Sequence, residues 1–427
     1  MKKQLKIIPL IITLILIIAG SSWAGWLVAE NKNSIEKEPS VEKETKQQAD
    51  IYFYRTDGIY KISNKNTTPE KIVEMDFDSE KHYYFNSKYN FMGFDHNWLV
   101  YRDAAGENKM MGTEFGLMVF DMENKKEVWS VKEDNASVLS FLVSPSGSKL
   151  AYVISHYDPN EKQDVGPQKI AQELYVWDGE SEPELIISEE NHFGSLVMGI
   201  WIDEENLTVG RGYEGVSLCA ININTDSEIP DDCQGYGASH MGLTDTIKES
   251  VENKLYGHRY EWTEVTGSKK ATQGIFEQEI NGERKYLTND APSDMVVTDK
   301  NIYYLRNSQN ASKYTWNGVE TDLYMVSKTG ELIKRLTNDG TSFMAKSNLS
   351  LSNNNKFISY QIMDTSKISP NKNTLKEQTE NSSIWLYDIE TNKYYKIADK
   401  GLSPKVIIKN LEIISFIIFF RFHFLKK

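Results

Sequence analysis

The sequence predicts an all-β chain: a β-propeller of four-stranded blades, seven being the expected number, preceded by one N-terminal transmembrane helix. Three observations predict it. The stretch Val143 to Tyr152 (VSPSGSKLAY) reads as strand, tight turn, strand, and it aligns without a gap with Leu351 to Tyr360 (LSNNNKFISY), 208 residues further on. A second hairpin follows each such stretch. The residues ending the third strand of successive units are Ser63, Asp121, Asp178, Asn222, Gln278, Ser327 and Asp388, spaced 44 to 61 residues apart. A four-strand unit recurring at about 40–60 residues is the period of a propeller. Finally, Ile7 to Ala29 is a run of 23 residues without a charge, long enough to cross a bilayer as a helix.

Composition sets the outer bounds. The chain has 427 residues, more than one ordinary core holds unless the fold is a barrel or a repeat assembly. Its formal net charge of −13 excludes a basic face for nucleic acid and disfavours attraction to an acidic membrane surface. Aromatics make up 11%, led by tyrosine, which suits strands. Two cysteines exclude a disulfide-dense scaffold and a cysteine-based zinc site.

In chain order, residues 1–6 are a basic cytoplasmic N-terminus carrying Lys2, Lys3 and Lys6. Residues 7–29 are the anchor. Lysines before it and acidic residues after it place the N-terminus inside and the remainder outside, in the periplasm or extracellular space. A cleaved signal peptide is the alternative, since Ser22-Trp23-Ala24 is an acceptable cleavage site. The apolar run continues through Trp26, Leu27 and Val28, which favours retention. Residues 30–50 carry too little apolar surface to order themselves and read as a charged tether. The propeller is expected over 51–418, and 419–427 is an unassigned tail.

Within the propeller, looser copies of the first hairpin occur at Trp201 to Val209, Val297 to Leu305 and Phe94 to Tyr101. Second hairpins include Leu117 to Val131, Leu174 to Ser188, Ile275 to Thr288, Leu323 to Thr337 and Ile384 to Ala398. Period two puts Trp385 and Tyr387 on one face and Ile384 and Leu386 on the other. Both faces are apolar, as in a strand packed between neighbouring sheets.

The stretch from Val143 to Tyr152 resembles the hairpin of TolB-like, WD40-related (PD40-type) propellers, and Ile384 to Thr391 (IWLYDIET) resembles their following strand. The resemblance spans Ile51 to Val406. It implies a propeller like those of TolB and of the N-terminal domains of prolyl-oligopeptidase-type peptidases, without the TolB N-terminal domain and without a hydrolase domain. Its motifs are structural and imply no site residues.

Ile51 to Arg55 and Ile59 to Ile62 match the second and third strands of a unit, so the first strand of that blade must come from elsewhere. Leu402 to Lys409 (LSPKVIIK) is the expected donor, which would close the ring and remove an exposed edge.

Few residues suggest chemistry. Gly237 to Gly242 (GASHMG) misses the G-x-S-x-G nucleophile elbow by one residue. No histidine pair has ligand spacing and no acidic cluster has the calcium-loop pattern, so neither a metal nor another cofactor is expected. Tyr256, His258, Arg259 and Trp262 lie in one aromatic and basic stretch, a contact surface unless the rings pack between blades. Cys219 and Cys233 are candidates for a disulfide across a short loop. Connections between first and second strands, and between third and fourth, are short. Those between second and third strands are long, at Asp103 to Glu114, His156 to Gln172, Asn307 to Thr321 and Asp364 to Ser383. These emerge on one face, where Tyr157, Tyr314 and Trp316 are candidate contacts. Shortening the 364–383 connection is expected to leave folding intact.

The functional expectation is a membrane-anchored, extracytoplasmic scaffold for an unidentified protein or envelope polymer. The alternative is a propeller-type enzyme or peptidase-related domain acting on peptide or polysaccharide.

Overall fold

A computed structural model describes the chain over residues 48–66, 68–75, 89–93, 97–108, 112–158, 169–190, 195–212, 215–230, 236–240, 243–261, 274–280, 282–290, 292–307, 321–340, 343–368 and 374–408. The expected anchor, most of the tether, the segment after Ile408 and the 419–427 tail lie outside these residues. Among the described residues no helix is long and apolar enough to cross a membrane.

Seven four-stranded blades form a propeller ring. Blade 1 contains β1 (Ala49–Arg55), β2 (Gly58–Ser63) and β3 (Glu70–Glu74). Blade 2 contains β4 (Tyr89–Met92), β5 (Trp98–Asn108), β6 (Gly112–Asp121) and β7 (Lys126–Val131). Blade 3 contains β8 (Ala136–Val143), β9 (Leu150–Tyr157), β10 (Lys169–Trp177) and β11 (Glu184–Glu190). Blade 4 contains β12 (Ser195–Trp201), β13 (Asn206–Gly212), β14 (Gly215–Asn222) and β15 (Gly237–His240). Blade 5 contains β16 (Leu243–Val251), β17 (Lys254–Glu261), β18 (Gly274–Glu279) and β19 (Arg284–Thr288). Blade 6 contains β20 (Asp294–Val297), β21 (Asn301–Asn307), β22 (Thr321–Ser327) and β23 (Ile333–Arg335). Blade 7 contains β24 (Met344–Leu351), β25 (Phe357–Asp364), β26 (Ser382–Asp388) and β27 (Lys393–Asp399). The last strand, β28 (Leu402–Ile408), pairs antiparallel with β1 and supplies the inner strand of blade 1. Ring closure by the C-terminal strand is as the sequence predicts.

The two aligned turns use one hydrogen-bond pattern. Ser144 N donates to Lys149 O and Ser352 N to Phe357 O, both at 2.9 Å. Gly147 N donates to Ser144 O and Asn355 N to Ser352 O, again at 2.9 Å. Gly147 (φ 80°) and Asn355 (φ 59°) occupy the left-handed region that glycine and asparagine tolerate best. The turns between third and fourth strands have their own device. Asp388 Oδ1 accepts the N–H groups of Glu390 and Thr391 at 3.0 Å. Asp121 does the same for Glu123 and Asn124, and Asp178 for Glu180 and Ser181. These Asx turns explain why aspartate recurs at the end of the third strand. The donors hold the Asp121 and Asp178 carboxyls below the usual range.

Each gap between neighbouring blades holds its own apolar cluster. Ala49, Ile51 and Phe53 pack against Ile384 and Leu386 of blade 7, whereas Tyr52 and Tyr54 pack against Phe91 and Leu99 of blade 2. The period of two thus feeds two interfaces from one strand. Between blades 2 and 3, Trp98 and Trp129 both stack on Trp177, with ring centres 6.0 and 4.6 Å away. Tyr360 and Tyr387 face blade 6 while Ile384 and Leu386 face blade 1, as their alternation predicts.

Three features depart from expectation. Residues 103–108 and 112–114, expected in a connection, are paired strand, because β5 runs to Asn108 and β6 starts at Gly112. The stretch after Asp364 folds as a 3-10 turn (Thr365–Lys367) and, further on, α1 (Leu375–Glu380), whose Thr374 cap accepts the Glu377 N–H at 3.2 Å. Leu375 is 1% exposed within the cluster between blades 1 and 2. Shortening 364–383 therefore removes core, and it is not the silent change the sequence suggests. Third, Gly237–His240 forms a strand that pairs with both β14 and β16, so blades 4 and 5 share one eight-stranded sheet.

Lys346 is fully buried between blades 6 and 7. Its Nζ donates to Thr321 O at 2.9 Å and lies 2.9 Å from Asp339 and 3.8 Å from Asp322. Removing one partner of a buried ion pair strands the other, a loss of about 3–5 kcal/mol. Lys346→Met is expected to lower the urea unfolding free energy by about that amount, and a change below about 1 kcal/mol would show that the network contributes packing alone.

Candidate functional site

Except for β16 of blade 5, which β15 joins, the inner strand of each blade has one edge with no neighbouring strand among the described residues, and this edge faces the ring axis. Its backbone donors need acceptors. In four of the blades side chains of the adjoining blade supply them. Glu249 Oε2 of blade 5 accepts the N–H of Val297 in blade 6, and Asp294 Oδ2 of blade 6 accepts that of Leu349 in blade 7, both at 2.7 Å. Gln361 of blade 7 accepts the Ser403 N–H at 3.0 Å, and Gln172 of blade 3 accepts that of Leu196 in blade 4. Asn353 exchanges two bonds with Ile408, at 3.0 and 3.1 Å.

Where these strands converge there is a cavity of about 270 Å³. Five blades line it. Phe91, Val296, Leu349 and Leu351 give it apolar wall, Val406 and Ile407 continue that wall from the closing strand, and Glu249 and Lys405 bring charge. Because only the axis is common to blades 1, 2, 5, 6 and 7, this is the central channel.

Glu249 stands at an irregularity of β16, where the register shifts between Ile247 and Glu249. A bulge of this kind re-aims side chains. Burial pushes the Glu249 carboxyl up to about 7, a rise opposed by the Val297 N–H, aided by the Asp294 charge, and opposed by Lys405 and Lys248. Asp294 is raised too, by burial first. Lys405 is held below the usual lysine range by burial, against the attraction of Asp294 and Glu249. Water reaches these half-buried side chains from the channel, while protein on every other side supplies the desolvation.

The residues singled out from sequence lie elsewhere. Tyr256 is 1% exposed in the gap between blades 5 and 6; its hydroxyl donates to Glu277 at 3.0 Å and Lys328 Nζ sits 4.7 Å over its ring. His258 is buried, with its imidazole pushed down to about 4 by burial and then by the Lys248 charge. Arg259 lies 4.0 Å from Asp245, which also pairs with Arg284. Tyr157 is buried at the end of β9 and presents no ring surface. Trp262, Tyr314, Trp316 and Cys233 lie outside the described residues. Cys219 is 3% exposed on β14, and no cysteine among the described residues is free. Among the described residues no cluster of His, Cys, Asp or Glu fits a metal ion. The channel charges escaped sequence reading because they lie 45 and 111 residues apart; the available signal was a single charged residue in each of the short inner strands β20 and β28, with none in β16, where Glu249 is one of three.

These features define the chain as a seven-bladed β-propeller protein. No protein-family profile matches the sequence, and no curated protein matches it. Solved structures do match in fold. Prolyl oligopeptidase B of Galerina marginata, bound to a 35mer hydrolysis and macrocyclisation substrate, shares 10% identity at a TM-score of 0.51. That match covers 86% of this chain and 52% of the enzyme, so this chain spans about half its length. The β-propeller domain of the trilobed protease of Pyrococcus furiosus shares 12% identity at a TM-score of 0.46, covering 74% of this chain and 83% of that one. Oligogalacturonate lyase of Vibrio parahaemolyticus also shares 12% identity, at a TM-score of 0.47, covering 83% and 96%. At such identities the likeness is one of fold.

Two outcomes are expected here. Folded Glu249 keeps its proton to about pH 7, whereas an unfolded glutamate releases it near about 4.3. Between those values the folded state binds more protons, so Glu249 makes stability fall as pH rises, by on the order of 1–3 kcal/mol after allowance for channel water. His258 acts oppositely, its contribution falling as pH drops from about 6.5 towards about 4. Glu249→Gln is expected to gain stability over wild type progressively from pH 4.5 to 8 in urea titrations at matched pH. A stability difference that does not change with pH would contradict the channel titration. For the cysteines, alkylation of unfolded, unreduced protein is expected to label none if Cys219 and Cys233 pair, while two labelled thiols would exclude the bridge.

Proposed function

We propose that this chain is a membrane-anchored, extracytoplasmic propeller that serves as a binding scaffold for a protein or envelope polymer, using the face that carries the connections between second and third strands. The observation that carries this reading is the unequal treatment of the two faces. On the short-turn face, neighbouring blades bind one another. Gly93 N donates to Gly147 O at 2.7 Å, Lys149 Nζ to Glu204 O at 3.0 Å, and Asn355 Nδ2 to Asp299 at 3.1 Å. With the Asx turns, these bonds commit that face's polar groups to the fold. The strand ends on the opposite face, such as Tyr157 and Lys169, Glu261 and Gly274, and Asn307 and Thr321, are separated by the longer stretches of sequence, and long connections are where repeat proteins place binding. The anchor rests on the uncharged run at 7–29 and its flanking charges.

An enzyme acting on peptide or polysaccharide is the second reading. Glu249 favours it, since a carboxyl that titrates near 7 suits acid–base work. Against it, Glu249 already accepts the Val297 N–H and serves the fold.

Full-length protein in mild detergent, used as bait in its native envelope extract, tests the scaffold. Tyr314→Ala with Trp316→Ala is expected to weaken capture at least tenfold, and Glu204→Ala on the opposite face to leave it unchanged. The reverse pattern would overturn the assignment of the face. The chain is expected to stay with membranes through high-salt washing; a soluble form beginning near Gly25 would overturn the anchor.

A further inference from the structure

Lys405 is the group in the channel that the fold does not use. It lies on the closing strand, its backbone is engaged with Tyr52 of β1, and its side chain lines the cavity. Among the described residues its Nζ has no hydrogen-bond partner and no carboxylate within ion-pair distance. Asp294 and Glu249 are near enough to act on it through space, yet both spend an oxygen on a backbone N–H of the next blade. An ammonium has three donors, and this half-buried one turns them to the channel, where a ligand can meet them. We infer that the channel is a binding site for a small monocarboxylate, with Lys405 Nζ pairing the ligand's carboxylate and the apolar inner strands holding its hydrocarbon part.

Charge and shape select this class. Any anion beside Lys405 also meets the charges of Asp294 and Glu249, and a dianion such as phosphate is repelled by them about twice as strongly as a monoanion. In its acid form Glu249 donates its proton as a hydrogen bond to the second ligand oxygen, so binding takes up protons and tightens as pH falls through about 7. Lys248, beside Glu249 on β16, adds a second positive charge from the same strand. Val296, Leu349, Leu351 and Val406 also line the cavity and give a hydrocarbon part its contacts, beside the polar Asn90, Ser350 and Asn353. A cavity of about 270 Å³ admits a free acid of a few carbons or the last residue of an extended peptide. The inference goes beyond the scaffold reading and holds whatever the outer face binds.

Calorimetry on the full-length chain in a non-ionic detergent tests it with butyrate, butyramide and inorganic phosphate as probes. Butyrate is expected to bind, and butyramide and phosphate to bind at least tenfold more weakly. Lys405→Met is expected to weaken butyrate at least tenfold. Glu249→Gln, which keeps shape and the Val297 bond, is expected to retain butyrate but lose the tightening below pH 7, and it carries the test should Lys405→Met fail to fold. A short peptide with a free C-terminus that binds better than its amidated form identifies a chain end as the source; equal failure of both peptides with butyrate bound identifies a free acid. Equal affinity for butyrate and butyramide, or butyrate binding whose pH dependence survives Glu249→Gln, would overturn the inference.

Discussion

The inner strands of all blades but the fifth carry backbone donors on an edge that no other described strand reaches, and the structure depends on how those donors are satisfied. Seven blades in a ring leave no room for a further ladder at the axis. Water in a narrow channel is a poor substitute, since a buried N–H without a partner costs about 1–3 kcal/mol. The solution is to lend a side-chain acceptor from the neighbouring blade, as Glu249 does for Val297, Asp294 for Leu349 and Gln361 for Ser403. Each such bond also fixes the angle between two blades. Sheet closure and blade packing are thereby one problem, solved together with the seven apolar clusters between blades.

This solution has an electrostatic consequence. An acceptor made of carboxylate brings charge to the axis, where desolvation resists it, and the carboxyls respond by rising towards neutrality. Lys405 arrives from the far end of the chain on the strand that closes the ring. Its attraction to both carboxyls opposes their rise and offsets part of its own desolvation. The mixed charge of the channel is therefore a product of the fold, and so is the asymmetry between a carboxyl that is engaged and an ammonium that is not.

Much of the fold was legible because its devices are local. Asp121, Asp178 and Asp388 cap turns two and three residues ahead, so the need for them shows at fixed phase in the sequence. Ser144 and Ser352 repeat one turn for the same reason, and the alternation of Trp385 and Tyr387 with Ile384 and Leu386 reports two packed faces directly. The closing strand was legible by elimination, since β1 and β2 lacked an inner neighbour. What escaped was non-local. The pairing of β15 with β16 has no sequence signature, because Gly237–His240 is only four residues long and holds no large apolar side chain. Glu249, Asp294 and Lys405 share a site only once the ring exists. The Tyr256 to Trp262 stretch left two readings open, because aromatic content alone does not separate a ring between blades from a ring at a rim; Tyr256 is the former.

Residue-resolved amide hydrogen exchange at Leu196, Val297, Leu349, Ser403 and Ile408 tests the central claim most directly. If side chains of one blade cap the inner edge of the next, these five amides exchange as slowly as the amides paired within the sheets, and they open together with the ring. Exchange at the rate of exposed loop amides, while the sheet ladders stay protected, would show that the inner edge is solvated and that the blades are held by their apolar gaps alone.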